Sequence, residues 1–227
     1  MLNQHGRRKK GYNKIRASAI VARLLEAGGN MYTIRENNER VTILLHEIYG
    51  LNKFIRHFAK QLSNDGMDVV CPDLLAGNVF SYEQHEEAYH YFMTEVGFER
   101  AAMEMKDLIQ TLQSQYKEVY ILGFSIGATI AWLCSEQEGL SGVIGYSGSR
   151  IREYLDVTPT CRTLLLFARY EASVNVESIL PELNSKKQVE VVQIAGSHGF
   201  ADIYSPTYTM HSSRKAYDLV TDFLKSK

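Results

Sequence analysis

Residues 118–133, Glu-Val-Tyr-Ile-Leu-Gly-Phe-Ser-Ile-Gly-Ala-Thr-Ile-Ala-Trp-Leu, constrain the fold more than any other stretch of the chain. The β-branched and aromatic run Val119 to Leu122 reads as a buried strand, and the Ala/Ile/Trp/Leu stretch after Gly127 as a packed helix. Between them stands Gly123-Phe124-Ser125-Ile126-Gly127. Strand, G-x-S-x-G, helix is the pattern of a nucleophile elbow, a sharp turn that lifts a serine hydroxyl above a parallel sheet. The glycines two residues before and after Ser125 have a steric reason to be there. Strand and helix backbones approach too closely at such a turn to admit a Cβ.

The chain after Met31 supplies the rest of a sheet. Met31 to Arg35 and Val41 to His46 read as strands with Asn37-Asn38 as the turn between them. The second is continuously apolar, as a strand covered on both faces must be. A helix is expected from about Asn52, with Phe54, Ile55, Phe58, Ala59 and Leu62 on one face, closing near Asp65-Gly66. Met67 to Cys71 is the next strand. Residues 81–115 read as helix in two pieces broken near Gly97. Strands at Gly142 to Tyr146, Thr163 to Ala168 and Val189 to Ile194 follow, with helices at Val176 to Leu183 and Ser213 to Leu224. Alternating strands and helices predict an α/β fold, a doubly wound and mostly parallel sheet with its site at the carboxyl ends of the strands.

At 227 residues and 45% hydrophobic content, residues 31–227 suffice for one such domain. The overall charge of −1 hides an asymmetry. Arg7, Arg8, Lys9, Lys10, Lys14, Arg16 and Arg23 stand against Glu26 alone in residues 1–30. This basic extension reads either as a non-native or upstream leader before Met31, or as a short native helix or targeting arm. It is not a secretory signal, because Arg23 interrupts its one apolar stretch. No 18-residue apolar run suggests a membrane span. Cys71, Cys134 and Cys161 lie apart in apolar stretches, so they read as reduced, packed thiols rather than a disulfide framework or metal site. His85 and His90 are five apart, not the four that puts two zinc ligands on one helix face. No phosphate-cradling glycine motif occurs, and the dispersed aromatics suit core and pocket walls better than a nucleic-acid platform.

Three polar clusters fall just after strand ends and carry Ser125, Glu171 and His198, in the chain order of α/β-hydrolases. A serine hydroxyl needs a base within hydrogen-bond reach, and the base needs a third group to hold its tautomer. His198 is the expected base and Glu171 the orienting acid. The N–H groups of Ile48 and Ile126 are the expected oxyanion donors. Each residue has a plainer reading. Ser125 could cap the following helix. His198 could be a loop histidine bound to a carbonyl. Glu171 could be a solvated charge, with Asp202, Glu177 or Asp156 as the acid.

Glu47-Ile48-Tyr49-Gly50-Leu51-Asn52 with Ile55-Arg56, then Pro72-Asp73-Leu74, then the elbow, then His198-Gly199-Phe200, together resemble the dienelactone hydrolase family from about Val41 to the C-terminus. The resemblance implies an eight-stranded, cofactor-free, cytosolic α/β-hydrolase that opens esters or lactones through an acyl-enzyme. It also implies that Glu47 sits beside the nucleophile and helps to activate it; the plainer reading of Glu47 is a buried acid bonded to its neighbours. Three departures stand out. The best-known members carry cysteine where this chain has Ser125. Their acid is usually aspartate, where this chain has Glu171. Two arginines that hold a substrate carboxylate are replaced by Gly77 and Asp202, which argues against an anionic lactone.

The expected function is therefore a cytoplasmic serine hydrolase of small carboxylic esters, monomeric or homodimeric, with no metal, nucleic-acid or membrane partner. Its substrate walls are expected to include Tyr49, Leu51, Phe80, Tyr146, Tyr170 and Phe200, which suits an uncharged acyl group. The rival reading is a non-catalytic domain of the same fold used for binding or protein contact. Convergence of Ser125, His198 and Glu171 within hydrogen-bond reach separates the two.

Overall fold

The computed structural model describes residues 31–226, so the reading of the basic extension lies outside the described residues. Seven strands form one sheet in the order β1-β3-β2-β4-β5-β6-β7. They are β1 Met31–Ile34, β2 Arg40–Leu45, β3 Asp68–Pro72, β4 Glu118–Phe124, β5 Gly142–Tyr146, β6 Thr163–Tyr170 and β7 Val189–Ser197. All pairs are parallel except β1 on β3. The central strands β2, β4 and β5 are buried from end to end apart from the first residues of β2 and β4, as their unbroken apolar runs require.

The helices are α1 Lys53–Asn64, α2 His85–Tyr91, α3 Phe98–Gln113, α4 Ile126–Leu133, α5 Val176–Asn184 and α6 Met210–Lys225. The elements expected from periodicity are all present. The break near Gly97 is real: a π turn over Phe92–Val96 ends at Gly97, whose φ of 75° stops α2 from running into α3. Two expectations need correction. The described residues hold seven strands, not the eight that the family resemblance implies. And Asn37 does turn the chain, with φ 62°, but β1 and β2 do not pair, because β3 lies between them. Asp68 at the start of β3 ties that crossing down. Its Oδ1 accepts from the N–H groups of Glu36 and Asn38 at 2.9 and 3.2 Å, and its Oδ2 from Tyr116 Oη at 2.9 Å.

One apolar layer, between the sheet and α1 and α6, positions the site. Phe54 and Phe58 of α1 meet Phe124 of the elbow at ring-centroid distances of 4.8 and 4.9 Å, and Phe124 meets Tyr146 at the end of β5 at 4.6 Å. The two contacts from α1 are edge-on, and such contacts add about 1 kcal/mol each beyond the area they bury. The residue before the serine is thereby clamped from two elements. Cys71, Cys134 and Cys161 are buried free thiols, as expected of packed cysteines.

Candidate active site

The elbow forms as its glycines require. Ser125 has φ 52° and ψ −110°, a conformation that an L-residue holds only when its surroundings fix it. Its N–H donates to Tyr146 O at 2.8 Å, which locks the turn to the next strand. A Cβ on Gly123 would stand 2.1 Å from the Gly127 carbonyl carbon, and one on Gly127 would stand 2.7 Å from the carbonyl oxygens of Leu45 and His46. Helix α4 therefore begins directly against the end of β2. That close approach brings the backbones of Ile126 and Ile48 to one corner, and both residues line an open groove with Ser125 and His198. Ile126 is the first residue of α4, so its N–H has no partner within the helix and points out at the positive end of the dipole.

The serine hydroxyl does not cap α4. It lies 3.2 Å from His198 Nε2, and His198 Nδ1 lies 2.7 Å from Glu171 Oε2. A carboxylate accepts, so Nδ1 carries the proton and Nε2 is left free to accept from the serine. Glu171 follows β6, where a register shift between Ala168 and Tyr170 turns the chain out of the sheet. Its side chain is wholly shielded whereas that of His198 is 43% exposed. Of the competing acids, Glu177 is bound to Gln193 and Asp202 to Tyr82. Thr207 Oγ1 donates to the His198 carbonyl at 2.6 Å and holds the histidine loop from beneath.

Glu47 enters the site from the end of β2. Asn52 positions it with both ends of one side chain: Oδ1 caps α1 by accepting from Ile55 N–H at 3.1 Å, and Nδ2 donates to Glu47 Oε1 at 2.5 Å. Glu47 is 8% exposed and its Oε2 is buried without a partner. Burial, helped by the nearby charge of Asp202, pushes its pKa up to about 8, against the opposing pull of its own N–H and of Asn52. The carboxyl is therefore mostly protonated at neutral pH. Behind it, His46 is fully buried. Its Nε2 accepts from Leu74 N–H at 3.0 Å and its Nδ1 faces Glu47 O at 2.6 Å, which fixes one neutral tautomer. Burial lowers its pKa, so the 3.9 Å approach to Asp73 is not an ion pair.

A cavity of about 260 Å³ opens on one side of Ser125. Tyr49, Tyr146 and Phe200 line it as expected, together with Glu47, Ile48, Ser125 and His198. Leu51, Phe80 and Tyr170 do not. Leu51 is buried in the core beside Phe54 and Phe58. Phe80 packs on Tyr91 and the far core cluster. Tyr170, beyond the register shift, is 67% exposed and lines a separate open cleft beside Glu171. Of the two positions that replace arginines, Gly77 lies in an exposed loop while Asp202 faces the cavity. The sequence reading missed Tyr82, His85 and Ser147 as lining residues. The first two open a helical stretch with no apolar signal of its own, and Ser147 is one serine among many.

A doubly wound sheet with a strained serine at the end of β4, a histidine after β7 and an acid after β6 defines an α/β-hydrolase. A sequence model of the dienelactone hydrolase family matches residues 29–227, and the chain belongs to that family. Protein YczH of Bacillus subtilis (strain 168), itself described as uncharacterized, is 34% identical over 165 residues, covering 71% of this chain and 81% of that protein. Carboxymethylenebutenolidase of Pseudomonas putida is 26% identical over 201 residues, covering 81% of this chain and 84% of the enzyme. Among solved structures, one from Klebsiella pneumoniae that bears the dienelactone hydrolase name provisionally superposes with a TM-score of 0.72 at 16% identity, covering 86% of this chain and 92% of that one. The family makes the chain a hydrolase of the ester or lactone type.

Proposed function

We propose that the protein is a serine hydrolase that cleaves a small carboxylic ester or lactone-like acyl bond through an acyl-enzyme. The observation that carries the reading is the continuous hydrogen-bonded chain from Ser125 Oγ through the His198 ring to Glu171. In the first half-reaction His198 Nε2 takes the hydroxyl proton as Oγ adds to the carbonyl carbon. Glu171 stabilises the imidazolium without taking its proton. The negative oxygen of the tetrahedral intermediate is held by the N–H groups of Ile126 and Ile48. When the intermediate collapses, the ester C–O bond breaks and Nε2 returns the proton to the departing alkoxide. Water, deprotonated by the same nitrogen, then adds to the acyl-enzyme and releases the acid and free Ser125.

Glu47 is a pocket group in this scheme rather than the base. A mostly protonated carboxyl is a poor proton acceptor at neutral pH, and His198 already faces the hydroxyl. Intact-mass labelling with a fluorophosphonate tests the reading. One adduct on the native protein and none on Ser125→Ala is the expected result. Absence of labelling on the native protein would favour a binding domain of the same fold.

A further inference from the structure

The cavity beside Ser125 is unusual in its charge. Glu47 and Asp202 both line it, each less than a tenth exposed, and among the described residues no lysine or arginine does. Three buried polar atoms on lining residues have no hydrogen-bond partner among the described residues: Glu47 Oε2, Tyr146 Oη and Ser147 Oγ. Each of these can accept a hydrogen bond, and the two hydroxyls can also donate one. Orphans of this kind are rare in folded proteins and ask for a hydrogen-bonding partner. The remaining walls include the rings of Tyr49, Tyr82, Phe124 and Phe200, whose faces attract cations. On the opposite flank of Ser125 the groove does contain Arg150 and Arg152, but Glu153 engages both. The two sides of the nucleophile are thus chemically distinct.

We propose that this cavity binds a protonated amine, carried on the part of the ester that enters it. The inference rests on the hydrolase reading only for the word ester; the cation site itself does not depend on it. An ammonium group offers donors and no acceptor, which suits the unpartnered Glu47 Oε2, and its charge offsets Asp202 and, once its proton has left, Glu47. An anion would face Asp202 with no lysine or arginine among the described lining residues to balance it. The aromatic walls alone would suit an uncharged acyl chain; the two acids change the preference. At about 260 Å³ the cavity lies near the lower end of ordinary small-ligand pockets, so the entering group is a short aminoalkyl chain. The empty site holds a proton on Glu47, and the ammonium takes its place, so that binding releases a proton to solvent.

Two measurements test this separately. The first compares kcat/KM for ester pairs that differ only in ammonium for methyl: phenyl β-alaninate against phenyl butyrate, and phenyl ε-aminocaproate against phenyl enanthate. The ammonium member of at least one pair is expected to be preferred by roughly tenfold or more, and Asp202→Asn to bring that ratio towards one. Equal rates in both pairs on the native enzyme, or a ratio unchanged in Asp202→Asn, overturn the proposal and leave the hydrolase reading standing. The second measurement is calorimetric titration of Ser125→Ala with n-butylammonium and with n-butanol, in two buffers of different ionisation enthalpy. Binding of the cation alone, with proton release, supports the site even if no ester is cleaved or Asp202→Asn does not fold. Equal binding of both ligands, or binding of neither, overturns it.

Discussion

Ser125 and Ser147 directly follow adjacent parallel strands with nearly the same positive φ, 52° and 51°. They are joined through the bond from Ser125 N–H to the carbonyl of Tyr146, the residue before Ser147. Two strained residues side by side at the mouth of one cavity are a feature of the site, since neither turn lies at a hairpin. The strain at Ser125 should be measurable as stability. Ser125→Gly is expected to be more stable than Ser125→Ala by about 1 kcal/mol, because glycine alone adopts that conformation freely. Urea unfolding of the two inactive variants gives the difference directly. An equal or more stable alanine variant would mean that the turn is not strained.

The His198–Glu171 contact carries the second prediction. Glu171→Gln preserves shape but presents an amide that can donate to Nδ1, which favours the wrong tautomer. The expected loss in kcat is about a thousandfold, with KM changed by much less. Glu171→Asp, which keeps the charge but draws the carboxylate back from its 2.7 Å contact, should fall between the native enzyme and the amide variant. Steady-state kinetics on a neutral phenyl ester decide it. Similar rates for Glu171→Gln and the native enzyme would remove Glu171 from its role.

Much of this arrangement was legible before any coordinates. The elbow could be read because its glycines answer to contacts within ten residues of chain. Ser125, His198 and Glu171 could be paired because each follows a strand that periodicity reveals. The cavity walls could not be read so well. Leu51 and Phe80 are as aromatic or aliphatic as Tyr49 and Phe200, and what separates core from cavity is the direction a loop side chain takes. Tyr170 was misplaced by the register shift beside it, an irregularity that no alternation pattern announces. The order of β1 and β3 was hidden for a similar reason. The turn at Asn37 is genuine, but its closure is supplied by Asp68, thirty residues away in the chain.

The glycine contacts yield the third prediction. Gly123→Ala places a methyl group against the backbone of Gly127, which cannot rotate away, so about 3 kcal/mol or more of stability should be lost. Gly66 is the control. Unlike Gly123 it has a positive φ, 82°, but a Cβ there meets nothing within 4 Å. Gly66→Ala should therefore lose only about 1 kcal/mol, the backbone term alone. Parallel denaturant titrations of the two variants test whether close approach, rather than conformation, fixes the elbow glycine. Equal losses would say that it does not.

Glu47 makes stability depend on pH, with a sign that differs from the common carboxylate case. Its folded-state pKa is raised, to about 8, by burial above all. Below about 4.5 both folded and unfolded chains hold the proton, and the group has no effect. As pH rises towards about 8 the unfolded chain ionises while the folded one keeps its proton, so stability falls by up to about 1.4 kcal/mol per unit. Above that the folded carboxyl ionises too and the slope vanishes. Asp202, also raised by burial, acts in the same direction. Glu47→Gln removes the larger of these effects and keeps an acceptor for Asn52. The native protein is therefore expected to lose more stability than the variant between about pH 5 and about pH 8, by a few kcal/mol. Urea midpoints at several pH values read the difference, and parallel curves for the two proteins would show that Glu47 is ionised in the folded state throughout.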